Sequence, residues 1–211
     1  MNLLILGAAG GTGRELARQG IAAGHKVTAF ARDPSKVGFA DPMLACVSGD
    51  VTDGALVARA LAGQDAVVSV LANPSTFSRN PGLIGAIDHL VKLMKASGPS
   101  RLLYVSALPV DAEWSRTGLI LGLVARTMLR SEIADHRDKE ACVRASGLDW
   151  TIVRPAVLKD GPGAGTYRAG IDLRASSVLP PMIARADLAS FLLREAEEAR
   201  FMRQAALLLP G

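Results

Sequence analysis

Aromatic side chains are scarce in this chain: two tryptophans, two tyrosines and five phenylalanines, 4% of 211 residues. With few large rings and 21 glycines, the composition suits tight packing of helices on a sheet. Cysteine is scarcer still. Cys46 and Cys142 stand far apart and in no metal-ligand spacing. That excludes a disulfide framework and predicts two reduced, packed thiols. No cluster of five or six lysines and arginines occurs, so the net charge of +4 leaves no nucleic-acid footprint and reads as one anion-binding cleft. The apolar run Gly118–Ala125 falls far short of the ~20 residues a membrane span needs. The run Leu3–Leu6 lacks the basic leader of a signal peptide. These absences predict a cytoplasmic protein acting on a small-molecule substrate, with neither nucleic acid nor membrane as partner, as a monomer or homodimer.

What is present alternates. Leu3–Leu6, Lys26–Ala31, Leu44–Val47, Ala66–Leu71, Leu102–Val105 and Thr151–Val153 are short apolar runs that read as strands. Leu207–Leu209 reads as a last strand or a tail. Thr12–Ala23, Ala55–Leu61 and Asp187–Ala196 carry helical patterns. So does the series Leu83, Ile84, Ile87, Leu90, Val91 and Met94, which Gly98-Pro99 ends. Apolar strands alternating with helices predict an α/β fold: a single Rossmann-type, doubly wound parallel sheet with helices on both faces. The length fits one domain, 1–211, with small substrate-side elements at about 109–134 and 156–185. Leu158–Gly170, with four glycines, reads as a loose loop over a site or as ordinary surface.

Between the first strand and the first helix lies Gly7-Ala8-Ala9-Gly10-Gly11-Thr12-Gly13-Arg14. Gly7, Gly10 and Gly13 are spaced G-x-x-G-x-x-G, a dinucleotide-binding pattern in this strand–turn–helix context. The turn needs a residue without a Cβ penalty, the pyrophosphate needs close backbone approach, and the helix must pack on the strand. The helix N-terminus then offers N–H groups and partial positive charge to phosphate. Gly11 belongs to the same loop, and Thr12 adds a hydroxyl. A Walker-type loop would end in Gly-Lys-Ser/Thr, which this one does not.

The second strand ends Ala31-Arg32-Asp33-Pro34-Ser35-Lys36. An NAD site places an acid there for the ribose 2′-hydroxyl. Arg32 instead fits a 2′-phosphate, with Arg14 and Lys36 adding charge, so NADP (NADPH) is favoured over NAD. Asp33 reads as a turn former before Pro34. Asp50 and Val51, after the third strand, are candidates for the adenine edge and face, with a plain turn carboxylate as the competing reading of Asp50. Leu71, Ala72 and Asn73 end the fourth strand, where backbone lines the nicotinamide ribose.

Taken together, Gly7-x-x-Gly10-x-Thr12-Gly13, Gly24-His25-x-Val27-Thr28, Arg32-Asp33-Pro34-Ser35-Lys36, Gly49-Asp50-Val51, Tyr104-Val105-Ser106, Asp135-His136 through Lys139-Glu140, Ser146–Thr151 and Arg154-Pro155 form an ordered set. Over roughly residues 1–200 this set resembles the atypical short-chain dehydrogenase/reductases of the NAD(P)H-binding, NmrA-like type, whose compact members are similar to biliverdin reductase B, or flavin reductase. The resemblance implies NADP(H) binding and, in the reductase members, hydride transfer to flavins, tetrapyrroles or quinones.

Ordinary short-chain dehydrogenases use a Tyr-x-x-x-Lys pair and a serine. Ser106 stands at the serine's place and Lys139 at the lysine's. Four residues before Lys139 is Asp135, not tyrosine, on the same helical face and so placed for an ion pair. Tyr104 lies inside a strand and reads as core. The absent phenol argues against alcohol oxidation and sugar epimerisation and is compatible with conjugated acceptors. Ser106 would orient substrate or nicotinamide, Lys139 would meet a ribose hydroxyl, and His136 is a candidate proton source or ligand contact. Pro155 stiffens the backbone that would hold the carboxamide. Trp114 and Leu119–Leu129 read either as an apolar substrate wall or as a helix packed on the domain or on a second subunit. A non-catalytic NADP(H)-binding redox sensor working through protein partners is the alternative function.

Overall fold

Leu3, Leu4, Ile5 and Leu6 are fully buried, so β1 (Asn2–Leu6) belongs in the middle of a sheet covered on both faces. The computed structural model describes residues 1–73, 79–108, 110, 130–174 and 180–211. In it β1 runs parallel between β2 (Lys26–Ala31) and β4 (Ala66–Ser69). Successive side chains point to opposite faces: Leu3 and Ile5 enter one core, Leu4 and Leu6 the other.

The sheet has the order β3 (Leu44–Ser48), β2, β1, β4, β5 (Arg101–Val105), β6 (Asp149–Pro155), β10 (Gln204–Pro210), β8 (Tyr167–Gly170). One core holds α1 (Gly11–Ala22) and α5 (Arg185–Glu198) against the sheet through Leu16, Ala17, Leu188 and Leu192. The other holds α2 (Gly54–Leu61), α3 (Pro81–Ser97) and α4 (Arg130–Arg144) through Val57, Ile87, Leu90 and Val143. Strand order reverses between β1 and β4. In such sheets ligands bind outside the carboxyl ends of the strands at that reversal.

Several expectations change. The sheet is not wholly parallel, because β8 pairs antiparallel to β10 at one edge. Leu158–Gly170 is not one loose loop. It contains β8 and part of β7 (Val157–Lys159), which pairs with β9 (Met182–Ala184) as a separate two-stranded ribbon. The segment around Leu207–Leu209 is a strand, the parallel neighbour of β6. Helix α4 shows little apolar periodicity, because most of its buried side chains are polar: Asp135, His136, Lys139 and Glu140, with Val143. Cys46 is exposed on edge strand β3 and Cys142 is half-buried, so neither is a fully packed thiol. Trp114 and Leu119–Leu129 lie outside the described residues, as does most of 109–134.

Candidate functional site

The glycine loop turns off the carboxyl end of β1. Gly7 has φ +89°, a conformation that L side chains rarely adopt, and its N–H donates to the Phe30 carbonyl. A Cβ at Gly13 would come within 2.4 Å of the Gly7 carbonyl oxygen and 2.6 Å of the Ala8 Cα, so the first turn of α1 sits directly on the loop. The Gly10 N–H closes the turn onto the Gly7 carbonyl at 3.0 Å.

The helix starts reveal a contrast. Asp53 caps α2 at the Leu56 N–H, and Asn80 caps α3 at the Leu83 N–H. At α1 the N-cap is Gly10, with no side-chain cap and no acid in the first turn; α5 also starts without a side-chain cap, at Ala184, but carries Asp187 in its first turn. A Cβ at Gly10 would meet only the Gly7 oxygen, at 3.4 Å, so this face of the loop is open. An uncapped N-terminus behind an open glycine face fits a pyrophosphate. Thr12 is buried and Arg14 exposed at the same end of α1.

Arg32 is exposed at the carboxyl end of β2, and its carbonyl accepts from Ser48 Oγ. Asp33 caps the 3-10 turn Pro34–Val37: one carboxylate oxygen accepts from the Ser35 N–H at 3.2 Å and from Ser35 Oγ at 2.6 Å. Its other oxygen lies 3.5 Å from Lys36 Nζ. The carboxylate that would repel a 2′-phosphate is thus engaged locally, as the turn-former reading expects. Asp50 is exposed beyond β3 and accepts from the Thr52 N–H and hydroxyl. Those bonds, with a smaller contribution from Arg32, hold its pKa below the ordinary range. Val51 is half-buried against the α2–α3 core. Leu71, Ala72 and Asn73 follow β4, and Pro155 ends β6.

Ser106 follows β5 and His136 lies on α4. Both are buried, with Ser106 Oγ 3.3 Å from His136 Nδ1. Burial and the nearby Lys139 charge lower the imidazole pKa to about 4, so the ring is neutral near neutral pH. One turn on, Lys139 Nζ lies 2.6 Å from Asp135 Oδ2, with both side chains almost wholly buried. Asp135 Oδ1 accepts the Asn80 N–H at 3.0 Å, tying α4 to the start of α3. The structure therefore brings Ser106, His136, Lys139 and Asp135 together. Neither described tyrosine fills the missing phenol's place. Tyr104 is core, and its hydroxyl is pushed above its ordinary pKa by burial. Tyr167 lies on edge strand β8.

Sequence reasoning missed three features. Glu140 receives Arg154 in a buried two-pronged pair, Nε to Oε1 at 2.9 Å and Nη2 to Oε2 at 2.5 Å. It joins α4 to β6 behind the site. Their separation of fourteen residues carries no local pattern. Arg185 and Asp187, in the first turn of α5, are the others. Buried Asp187 accepts the N–H groups of Ala164 and Gly165, fastening the glycine-rich stretch between β7 and β8. The signal available was an Arg-x-Asp at a helix start. Among the described residues no group of three or more His, Cys, Asp or Glu has the arrangement of a metal site, and no helix is long and apolar enough to cross a membrane.

Comparison with known proteins agrees with this geometry. A chloroplast protein of Arabidopsis thaliana, At2g34460, is 28% identical over 172 residues, 77% of this chain and 61% of its own length. This chain thus spans about three fifths of that relative. The (4-alkanoyl-5-oxo-2,5-dihydrofuran-3-yl)methyl phosphate reductase of Streptomyces griseus is 30% identical over 178 residues, 79% of this chain and 54% of its own length. Among solved structures, the anaerobillin reductase ChuY of Escherichia coli O157:H7 superposes with a TM-score of 0.77 at 20% identity, covering 100% of this chain and 97% of its own, a likeness of fold. The family model described as NAD(P)H-binding matches residues 7–199, from the first glycine of the loop to the end of α5. This chain belongs to the NAD(P)H-binding family.

Proposed function

We propose that the protein is an NADPH-dependent reductase that transfers hydride to a flat, conjugated acceptor such as a flavin, quinone or tetrapyrrole. One observation carries the reading: Asp135 occupies the position of the short-chain dehydrogenase tyrosine, and it is committed to Lys139 and to the Asn80 N–H. A carboxylate held as half of a buried ion pair is no proton donor, and the neutral imidazole beside it does not supply an acid. Conjugated acceptors take hydride without a strong acid at the reacting atom, and water can deliver the proton. Catalysis then rests on placement.

The bound nicotinamide would supply the hydride. This chain's residues would supply the rest. The N-terminus of α1, with Gly7, Gly10, Gly11, Thr12 and Gly13, would hold the pyrophosphate. Arg32, helped by Arg14 and Lys36, would hold the 2′-phosphate, since Asp33 is turned into its own cap. Asp50 and Val51 would flank adenine. Leu71, Ala72, Asn73 and Pro155 would line the nicotinamide end. The ammonium of Lys139 spends one contact on Asp135 and keeps donors for a ribose hydroxyl. Ser106, oriented by His136, would face the acceptor. The name of the Streptomyces griseus relative supports this class, since an oxo-dihydrofuran bearing an alkanoyl group is conjugated.

The test is a titration of NADPH and NADH followed by absorbance decay with FMN, a quinone and biliverdin. NADPH should bind more tightly and be consumed with at least one acceptor. Arg32→Ala should weaken NADPH by about 1.5–3 kcal/mol, the range for a hydrogen bond to a charged group, and leave NADH nearly unchanged. Tight NADPH binding without turnover on any acceptor would favour a redox-sensing protein instead.

A further inference from the structure

Gly11 is the loop glycine that the G-x-x-G-x-x-G spacing does not use, and the structure gives it a neighbour. A Cβ at position 11 would come 2.7 Å from Arg185 Cδ and 3.0 Å from its Nε. The outer arginine stem therefore lies across the first residue of α1, in the space that the missing Cβ of Gly11 leaves. Two facts bring it there. Gly11, Glu15 and Gln19 share one stripe of α1. Gln19 Nε2 donates to the Ala186 carbonyl at 3.0 Å, docking the start of α5 on that stripe. Arg185, the first residue of α5, runs along it to the phosphate-binding end of α1.

Among the described residues the guanidinium pairs with Asp160, at 2.8 Å. Asp160 is 88% exposed and Arg185 28%. So solvated a pair holds weakly, and a phosphate group can take the carboxylate's place. The stretch carrying Asp160 does not depend on this contact alone, because Asp187 fastens it separately at Ala164 and Gly165.

We propose that Arg185 is a phosphate-contacting residue of the dinucleotide site, reaching from α5 over Gly11 to the pyrophosphate and exchanging Asp160 for it. The proposal rests on the reading of the glycine loop as a dinucleotide site and adds to it a second arginine with a different task. Arg32 reads the 2′-phosphate that only NADP carries. Arg185 reads the pyrophosphate that NAD and NADP share. A planar two-pronged donor suits that group, and the uncapped N–H groups of α1 meet it from the other side.

Equilibrium titration of NADPH and NADH into wild type, Arg185→Met, Arg32→Ala and Asp160→Asn tests this, with circular dichroism and thermal melting as fold controls. Methionine keeps an apolar stem over Gly11 and removes the charge. Arg185→Met should weaken both nucleotides by a similar factor of at least ten and flatten the salt dependence of binding, whereas Arg32→Ala should weaken NADPH alone. Asp160→Asn should bind as tightly as wild type or more so. Unchanged affinity in a folded Arg185→Met, with wild type binding, would overturn this inference and leave the dinucleotide reading standing. An equal loss in Asp160→Asn and Arg185→Met would assign the pair to holding the loop and also overturn it. Wild type binding neither nucleotide would overturn the dinucleotide reading and this inference with it.

Discussion

Lowering the pH should destabilise this protein through His136, in a window set by the site. The ring lies 7% exposed on α4, with Ser106 Oγ 3.3 Å from Nδ1 and Lys139 one turn away. Burial disfavours the imidazolium and Lys139 repels it, while Asp135 and Glu140 oppose the shift only in part, so its pKa falls from 6.5 to about 4. The unfolded chain then binds a proton that the folded chain refuses between those values. Stability therefore rises with pH across the window: the full contribution is present above about 6.5 and is lost as pH falls toward about 4. At 1.36 kcal/mol per pKa unit the span is about 3 kcal/mol. The carboxylates Asp33 and Asp50 are held below their ordinary values, so they titrate below the window. Urea unfolding of wild type and His136→Gln across this range isolates the effect. Wild type should lose about 3 kcal/mol more than the variant. Parallel pH dependences in the two proteins, or a His136 imidazole resonance titrating near 6.5, would refute the reasoning.

Three further outcomes are expected. Gly13→Ala pushes a Cβ into the Gly7 carbonyl and the Ala8 backbone; it should cost about 1–3 kcal/mol in a thermal or urea melt and abolish measurable dinucleotide binding by titration. Glu140→Ala strips a buried guanidinium of its carboxylate and should cost about 3–5 kcal/mol, whereas Glu140→Met with Arg154→Met should recover most of that in the same unfolding assay. Arg32→Ala should switch nucleotide preference without changing stability, read from paired titrations and melts.

How much of this was legible depended on which physical signal each element left. β2 was readable residue for residue, because β-branched and aromatic Val27, Thr28 and Phe30 favour a strand and Val27, Ala29, Phe30 and Ala31 are buried. The glycine loop was readable because backbone geometry dictates glycine. Ser106, Lys139 and Asp135 could be named from the resemblance to the short-chain dehydrogenase pattern, which assigns a serine, a lysine and the position four residues before it. Helix α4 left no periodic signal, since its buried face is charged and pays for burial with partners on other elements: Asn80, Ser106 and Arg154. Those partners lie far away in sequence and emerge only once the sheet brings β5, β6 and α3 together. Arg185 escaped for the same reason. Its meaning lies in a glycine 174 positions earlier, against which its stem rests. The strands β7, β8 and β9 are three or four residues long, too short for alternation to separate them from loop.

The aspartate at position 135 is the sharpest departure from the dehydrogenase pattern, and restoring the tyrosine is the sharpest test of what it means. If the site were an alcohol dehydrogenase lacking one group, Asp135→Tyr would rebuild it. The surroundings argue otherwise. Asp135 is fully buried, and its two oxygens are spent on Lys139 and the Asn80 N–H. A phenol is far larger than this enclosed carboxylate, and forcing such volume into a packed interior costs about 1–3 kcal/mol. The change also leaves a buried ammonium without its counter-charge, a loss of about 3–5 kcal/mol when one partner of a buried pair is removed. Both effects pull α4 away from α3. Asp135→Tyr should therefore be markedly destabilised in urea and gain no alcohol oxidation with NADP⁺, while the milder Asp135→Asn keeps the Asn80 contact and loses only the charge. A well-folded Asp135→Tyr that oxidises simple secondary alcohols would show that the site had kept the geometry of proton transfer, and that Asp135 is a late substitution rather than the centre around which α3 and α4 are joined.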